Sequence, residues 1–358
     1  MTNEHPTPVH SLSVVLAGSG GSGVITAGNI LLDAAAKAGW FGLMTRSVGP
    51  QIRGGEAAAL IRLSTVPVAA QPDRHDLLIA LDWQNVQRFA DEMPIDAGTL
   101  VIGNSAQDKD VPEFVTAAGA RRLDLDFKAL AKAIDGGRPN MIALGCVGAL
   151  IGLPDDVLDT AVEKSIARRG PEAAAASAAG VAAGRDAVRA TPTPARLAAP
   201  NGEAAGRWLI SGNEAAGLGA IRGGVRFVAA YPITPATEIL EWMAPALTKV
   251  GGTLVQAEDE LASINMAIGG SFGGKPSLTA TSGPGLALMT EAIGLAIASE
   301  VPVVVIDVMR GGPSTGIPAK SEQSDLNLAV QGLPGDAPHI VVAANSISDC
   351  LFSTQWAV

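Results

Sequence analysis

Residues 255–291 read VQAEDELASINMAIGGSFGGKPSLTATSGPGLALMTE. One short apolar run closes at Ala257 on the acids Glu258, Asp259 and Glu260, and a helix-compatible stretch, LASINMAIGG, follows them. A second run, SLTAT (277–281), closes on the turn SGPG and leads into a second helical stretch. Strand, turn, helix, strand, turn, helix is the grammar of a parallel sheet with helices on its faces. Acids belong in a first helical turn, where they complement the macrodipole, and this accounts for two of the three. A third acid leading into an apolar helix is headed for burial. A buried carboxylate has a raised pKa and needs a partner, which makes it a functional candidate. Gly283 and Gly285 in TSGPG let a ligand approach the backbone closely.

Outward from this segment the alternation continues. VRFVAAY (225–231), TLVQA (253–257), VPVVVIDV (301–308) and HIVVAA (339–344) read as further strands, most of them buried on both faces. Arg310 follows the strongest of them, at the carboxyl edge where open α/β sheets bind ligands, and a carboxylate is what such an arginine most naturally holds. The one tyrosine of the chain, Tyr231, stands in AAYPITPATE between an apolar run and two prolines. Proline after tyrosine ends a strand, and Pro235 can open a helix.

The first half has the same α/β character. LSVVLAG (12–18), DLLIALD (76–82) and TLVIG (99–103) suit buried parallel strands, 24–38 a helix, and a further helix runs from Pro154-Asp155-Asp156 to Arg168-Arg169. Gly18, Gly20 and Gly23 form a GxGxxG pattern between strand and helix. Such a loop admits three readings: a dinucleotide site, a site for another phosphate-bearing group helped by Arg46 and Arg53, or glycines needed only for strand–helix packing. A dinucleotide site wants an acid about 20 residues on, and WFGLMTRSVGPQIRGG offers Arg46 first and no acid before Glu56.

Between the halves, TPTPARLAAPNG is punctuated by proline, so 190–206 is expected to link domains at 11–189 and 207–345. Residues 346–358 read as a helix without a stop signal, as though a further element began there.

Composition narrows the function. Lys plus Arg (25) against Asp plus Glu (35) gives a formal charge of −10, so the footprint of a nucleic-acid binder is missing. Hydrophobic residues make up 47% and aromatics 4%, so the cores are built from small and aliphatic side chains. Cys146 and Cys350 are too few for a four-thiolate iron–sulfur cluster or a Cys-rich metal site in this chain. With no cationic leader and no apolar run of spanning length, a cytoplasmic location is expected, without a membrane partner.

Taken together, AGSGGSGV, RSVGPQIRGGE, YPITP, EDELASINMAIGG, TSGPGLALMTE and RGGPSTGIPAKSEQSDL resemble the 2-oxoacid:ferredoxin oxidoreductases, specifically an α subunit with the family's γ-type domain fused at its N-terminus. The resemblance covers nearly the whole chain. It implies two α/β domains, a Rossmann-like γ domain and a parallel-sheet domain binding the pyrimidine side of thiamine diphosphate. Glu260 then matches the glutamate that hydrogen-bonds the aminopyrimidine and favours its imino tautomer. Thr281, Ser282 and Gly283 match the turn beside the cofactor, and Thr234 and Arg310 the residues that hold the 2-oxoacid carboxylate, with Tyr231 packed beneath Thr234 as scaffold. The γ domain, with Gly18, Gly20, Gly23, Arg46 and Arg53, would serve coenzyme A.

The resemblance further implies a β subunit carrying the diphosphate, Mg2+ and a [4Fe-4S] cluster, ferredoxin as electron acceptor, and a heterotetramer of two α and two β subunits. No metal site is expected in this chain. The substrate implied is 2-oxoglutarate, with pyruvate and other 2-oxoacids open. Rival readings are an NAD-dependent dehydrogenase and a truncated, non-catalytic assembly module.

Overall fold

The computed structural model describes residues 8–49, 55–84, 86–103, 111–192, 195–200 and 206–358. The chain divides into two units after Leu209.

The first unit is built on a six-stranded sheet in the order β3-β4-β2-β5-β6-β7. Its elements are β1 (Pro8–Val9), β2 (Ser11–Ser19), α1 (Val24–Lys37), β3 (Phe41–Val48), β4 (Glu56–Ser64), β5 (Leu77–Ala80), β6 (Leu100–Gly103), α2 (Glu113–Ala117), β7 (Arg121–Asp124), α3 (Phe127–Lys132), α4 (Pro139–Ile151), α5 (Asp155–Ile166), α6 (Pro171–Val188) and β8 (Arg196–Leu197). β2, β5 and β6 run parallel, as their apolar runs predict, and β7, a charged strand the sequence did not announce, continues the parallel run at the edge. The sheet is nevertheless mixed, because β4 lies antiparallel between β2 and β3.

Successive residues of a strand point to opposite faces, and β2 shows it. Leu12, Val14 and Leu16 join the core under α1, α4, α5 and α6. Val15 and Ala17 face the opposite core with Trp83, Met93 and Val115. α4 is apolar all round and almost wholly buried, the pattern of a central helix. Its contact with α6 is close: a β-carbon on Gly145 would overlap the Val181 carbonyl oxygen, and one on Gly184 the Ile142 carbonyl oxygen. The Ala- and Gly-rich composition of 171–188 thus serves helix–helix approach. Cys146 lies in this contact, its thiol donating to the Gly184 carbonyl (3.2 Å), and burial pushes its pKa up to about 12. Within the stretch expected as a linker, β8 pairs with β1.

The second unit holds a four-stranded, all-parallel sheet in the order β10-β9-β11-β12. Its elements are α7 (Gly212–Gly223), β9 (Phe227–Ala230), α8 (Thr237–Lys249), β10 (Thr253–Gln256), α9 (Glu260–Phe272), β11 (Ser277–Thr281), α10 (Gly283–Ala298), β12 (Val304–Asp307), α11 (Asp325–Gln331) and α12 (Ile347–Ala357). One face packs on α7 and α8 through Ala220, Ile239, Met243 and Leu247, the other on α9 and α10 through Ile264, Met289 and Ala292. α12 packs on α7, with the Leu351 backbone against Gly219.

Residues 339–344 correct the sequence reading. They form no strand, and Ile340 is 74% exposed. The described sheet ends at β12, and the His339 ring sits between the carbonyls of Ala337 and Ala329, its Nδ1 and Nε2 each 2.8 Å from one of them. An apolar run specifies burial, whereas a strand also needs a neighbour with free backbone groups in register. Among the described residues no helix is long and apolar enough to cross a membrane.

Candidate active site

All four strands of the second unit end at one edge, and the motifs follow those ends. YPITP leaves β9, the three acids leave β10, SGPG leaves β11, and Val308-Met309-Arg310 leaves β12. The chain goes from β9 outward to β10 and then returns to β11 on the other side, so β9 and β11 flank the topological switch point, where open α/β sheets bind ligands.

The three acids divide their work. Asp259 is the N-cap of α9, accepting from the Ala262 amide (2.7 Å), and Glu258 is exposed. Glu260 is the buried one, 8% exposed, and no hydrogen bond or ion pair reaches its carboxylate among the described residues. It packs against the SGPG turn: a β-carbon on Gly285 would overlap Thr281 Oγ1 and come within 2.7 Å of Glu260 Cγ. Thr281 and Ser282 are fully buried, and Ser282 Oγ, in the N-cap position of α10, has no partner.

Arg310, 7% exposed, joins two of the strand ends. Its Nη1 donates to the Thr234 carbonyl (2.9 Å) and Nη2 to the Thr315 carbonyl (2.7 Å), while Nε is buried without a partner. Arg310 and Thr234 are thus brought together, through the backbone of Thr234. Tyr231 differs from expectation: it is 38% exposed and not packed beneath the turn. Val228, Ala229 and Ala230 are all buried, and exposure begins at Tyr231, just past the end of β9.

Sequence reasoning missed Asp307, Asp325 and Glu322. Glu322 accepts from the Gly312 amide (2.8 Å) and fastens the loop after Arg310. Asp325, at the start of α11, lies so close to Gly283 that a β-carbon there would overlap its carboxylate. A cavity of about 260 Å3 is lined by Gly283, Pro284, Arg310, Gly312, Ser324 and Asp325. The acids inside SEQSDL were the available signal, and only the fold aims one of them at α10.

Burial first, then the Asp325 carboxylate, push the Asp307 pKa up to about 7. The folded chain therefore holds a proton that the unfolded chain would release, and this group's contribution to stability is lost as pH rises from the ordinary carboxylate range through about 7. Asp307→Asn is expected to flatten that decline, seen as a smaller fall in Tm between about pH 5 and about pH 8 than in the parent chain. Parallel Tm profiles for the two proteins would count against the assignment.

In the first unit Gly18 lies near the end of β2, where it pairs with Ala57, and Gly20 and Gly23 lie between β2 and α1, but three amides here are used internally. The Ser19 amide donates to Asp82 Oδ2 (3.1 Å), Gly20 to the Gly55 carbonyl (2.6 Å) and Ser22 to the Ser19 carbonyl (3.0 Å). The Ser19 hydroxyl also donates to Asp82 Oδ1 (2.7 Å). Gly23 adopts φ 87° at the helix N-cap, and Asn140 Nδ2 donates to its carbonyl (3.1 Å). Arg46 is exposed on β3, and Arg53 falls outside the described residues. β3 follows α1 and ends Arg46-Ser47-Val48 without an acid, so the carboxylate that a nicotinamide site wants on that strand is absent. Among the described residues no group of three or more His, Cys, Asp or Glu is placed to hold a metal.

Residues 218–358 match the family model described as pyruvate flavodoxin/ferredoxin oxidoreductase, thiamine diphosphate-binding, and residues 13–187 the one described as pyruvate ferredoxin/flavodoxin oxidoreductase. The 2-oxoglutarate synthase subunit KorA of Archaeoglobus fulgidus is 51% identical over 149 residues, covering 42% of this chain and 43% of that protein. The 2-oxoglutarate oxidoreductase subunit KorA of Mycobacterium tuberculosis is 32% identical over 340 residues, covering 85% of this chain and 50% of that one. Among solved structures, the 2-oxoglutarate:ferredoxin oxidoreductase of Magnetococcus marinus with 2-oxoglutarate, coenzyme A and succinyl-CoA bound superposes with a TM-score of 0.88 at 37% identity, covering 98% of this chain and 61% of that one. The chain thus spans about half the length of these relatives. With one family model on each unit and the solved structure overlying nearly all of its residues, the chain belongs to the 2-oxoacid:ferredoxin oxidoreductase family.

Proposed function

We propose that this chain is the α-type subunit of an enzyme that oxidatively decarboxylates a 2-oxoacid, 2-oxoglutarate first among them. The reaction converts the acid and coenzyme A to acyl-CoA, carbon dioxide and a proton, and two electrons pass singly to ferredoxin. The observation that carries the proposal is Glu260, 8% exposed and with no hydrogen bond or ion pair on its carboxylate among the described residues, at the same sheet edge as the buried guanidinium of Arg310, whose Nε has no partner. A buried carboxylate without a partner is costly, and a ligand that donates a hydrogen bond to it removes the cost.

Thiamine diphosphate fits that edge, because Gly285 leaves its side-chain space to Glu260 and Thr281. When bound, the cofactor supplies a carbon nucleophile and an electron sink. Glu260 would hold the cofactor's aminopyrimidine through a charge-assisted hydrogen bond and exchange a proton with its ring nitrogen. Ser282, with its free hydroxyl, and Gly283 would line the same face of the ligand. Arg310 would orient the 2-oxoacid by its carboxylate, the unpartnered Nε–H being among the donors free to do so, with the exposed Thr234 side chain nearby.

We infer further that a β subunit brings the diphosphate, Mg2+ and the [4Fe-4S] cluster, in an assembly of two α and two β subunits. The first unit would contact coenzyme A through residues around the glycine loop. Because Asp82 sits on that loop and three amides are used, Gly18, Gly20 and Gly23 are better placed to shape the loop than to grip phosphate.

The test is coenzyme A-dependent viologen reduction by the anaerobically purified complex, across a panel of 2-oxoacids. Highest kcat/KM with 2-oxoglutarate is expected. Preference for pyruvate would change the substrate and keep the reaction, whereas no reduction with any acid, cofactors and an intact cluster being present, would overturn the reading.

A further inference from the structure

Arg310 is a buried cation with no salt bridge among the described residues; its hydrogen bonds go to two carbonyls, and the buried Nε–H has no partner. Across the same cavity stands Asp325, with Oδ2 buried and unpartnered. Behind it Asp307, the last residue of β12, has its Oδ1 buried and unpartnered as well. One positive charge and one acid, Asp325, line the cavity, and Asp307 stands close enough to Asp325 to feel its charge. An anionic ligand on Arg310 would add a third negative charge in a space with little water to screen it. The least costly response is for one acid to become neutral.

We propose that Asp307 and Asp325 act as one carboxyl pair that takes up a proton from solvent when an anionic ligand enters the cavity beside Arg310, so that binding and protonation are linked. The inference rests on the functional reading above, which supplies the anion as the carboxylate of a 2-oxoacid. Other charged groups near the pair are accounted for. Glu322 is held by the Gly312 amide, Glu260 lies against Gly285 on the far side of the SGPG turn, Lys320 has a partner of its own, and the first turn of α10 carries no acid. Of these groups, Asp325 is the one whose charge acts on Asp307, whose pKa is already raised to about 7. Asp307 and Asp325 are positioning residues here: they set the charge that the Arg310 guanidinium presents to its ligand.

The probe is oxamate, an unreactive mimic of a 2-oxoacid, titrated calorimetrically into the complex purified with its co-purifying subunit and loaded with thiamine diphosphate and Mg2+. Titrations in buffers of different ionisation enthalpy count the protons taken up. Expected are net uptake that grows above about pH 7 and a Kd that weakens by about fivefold to tenfold between about pH 7 and about pH 8.5. Asp307→Asn and Asp325→Asn should each abolish the uptake and flatten the pH dependence, and Asp325→Asn should bind oxamate more tightly than the parent at the higher pH. Two variants are used so that a folding defect in one leaves the other to decide. Arg310-dependent binding with no proton uptake, or uptake that persists in both variants, overturns this proposal alone. Oxamate binding that is absent, or that survives Arg310→Gln, overturns the functional reading beneath it.

Discussion

Glu260→Gln is expected to lower kcat of the assembled enzyme by about 10²–10⁴-fold, the range for loss of a positioned proton-transfer group. Glutamine matches glutamate in shape, so the packing against Gly285 and Thr281 is kept, and only the negative charge and the proton it exchanges are removed. KM for the 2-oxoacid should move little if, as proposed, the acid is held by Arg310, which stands at a different strand end, and a kcat loss with an unchanged KM marks an interaction made during reaction. Steady-state kinetics with saturating thiamine diphosphate separate a catalytic defect from weaker cofactor loading. A variant retaining more than about a third of parental kcat would remove Glu260 from the chemistry, since that falls far short of what a proton-transfer group contributes.

Gly184→Ala should produce the largest loss of stability. The added methyl would meet the Ile142 carbonyl oxygen, and lie 2.9 Å from its carbonyl carbon and 3.0 Å from the Cys146 amide, all of them backbone atoms that cannot rotate away. α4 and α6 must separate, and because α4 is the central helix of the first unit the strain spreads through that core. Overpacking of this kind costs about 3 kcal/mol and lowers Tm by about 6–12 °C for a unit of this size. Gly180→Ala is the control. Its β-carbon would lie 3.1 Å from Met141 Cβ, a tight contact but not an overlap, so a shift of a few tenths of an ångström suffices, and the gain in helix propensity of about 1 kcal/mol works against the crowding. Differential scanning calorimetry of the two variants should separate them clearly. Equal melting temperatures would mean that the helices are not in backbone contact.

The second unit was largely legible because each strand carries its own apolar signal and each functional residue follows a strand directly. The first unit was legible only in part. β4 reads EAAALIRLS, a string of helix formers, and becomes a strand because β2 and β3 offer it pairing on both sides. Residues 339–344 fail in the opposite sense, with strand-like composition and no strand. The glycine loop could be located from its spacing, but what its amides do could not. Asp82 answers that question from the end of a strand 63 residues away in sequence. Asp325 against Gly283 is the same kind of fact: two ordinary turn residues, far apart in the chain, become a charged cavity wall only when the sheet edge assembles.

Ser282 Oγ, Arg310 Nε, Asp307 Oδ1 and Asp325 Oδ2 are all buried and all unpartnered, and they gather at one edge of one sheet. Such a surface is unfavourable by itself, and natural selection for folding alone would have filled it with apolar side chains or mutual pairs. Selection for thermostability applied to the isolated chain will therefore push these positions towards smaller or more hydrophobic residues and steadily erase the site. Engineering campaigns on this chain should screen it in the loaded assembly proposed above, where these four atoms are expected to find partners.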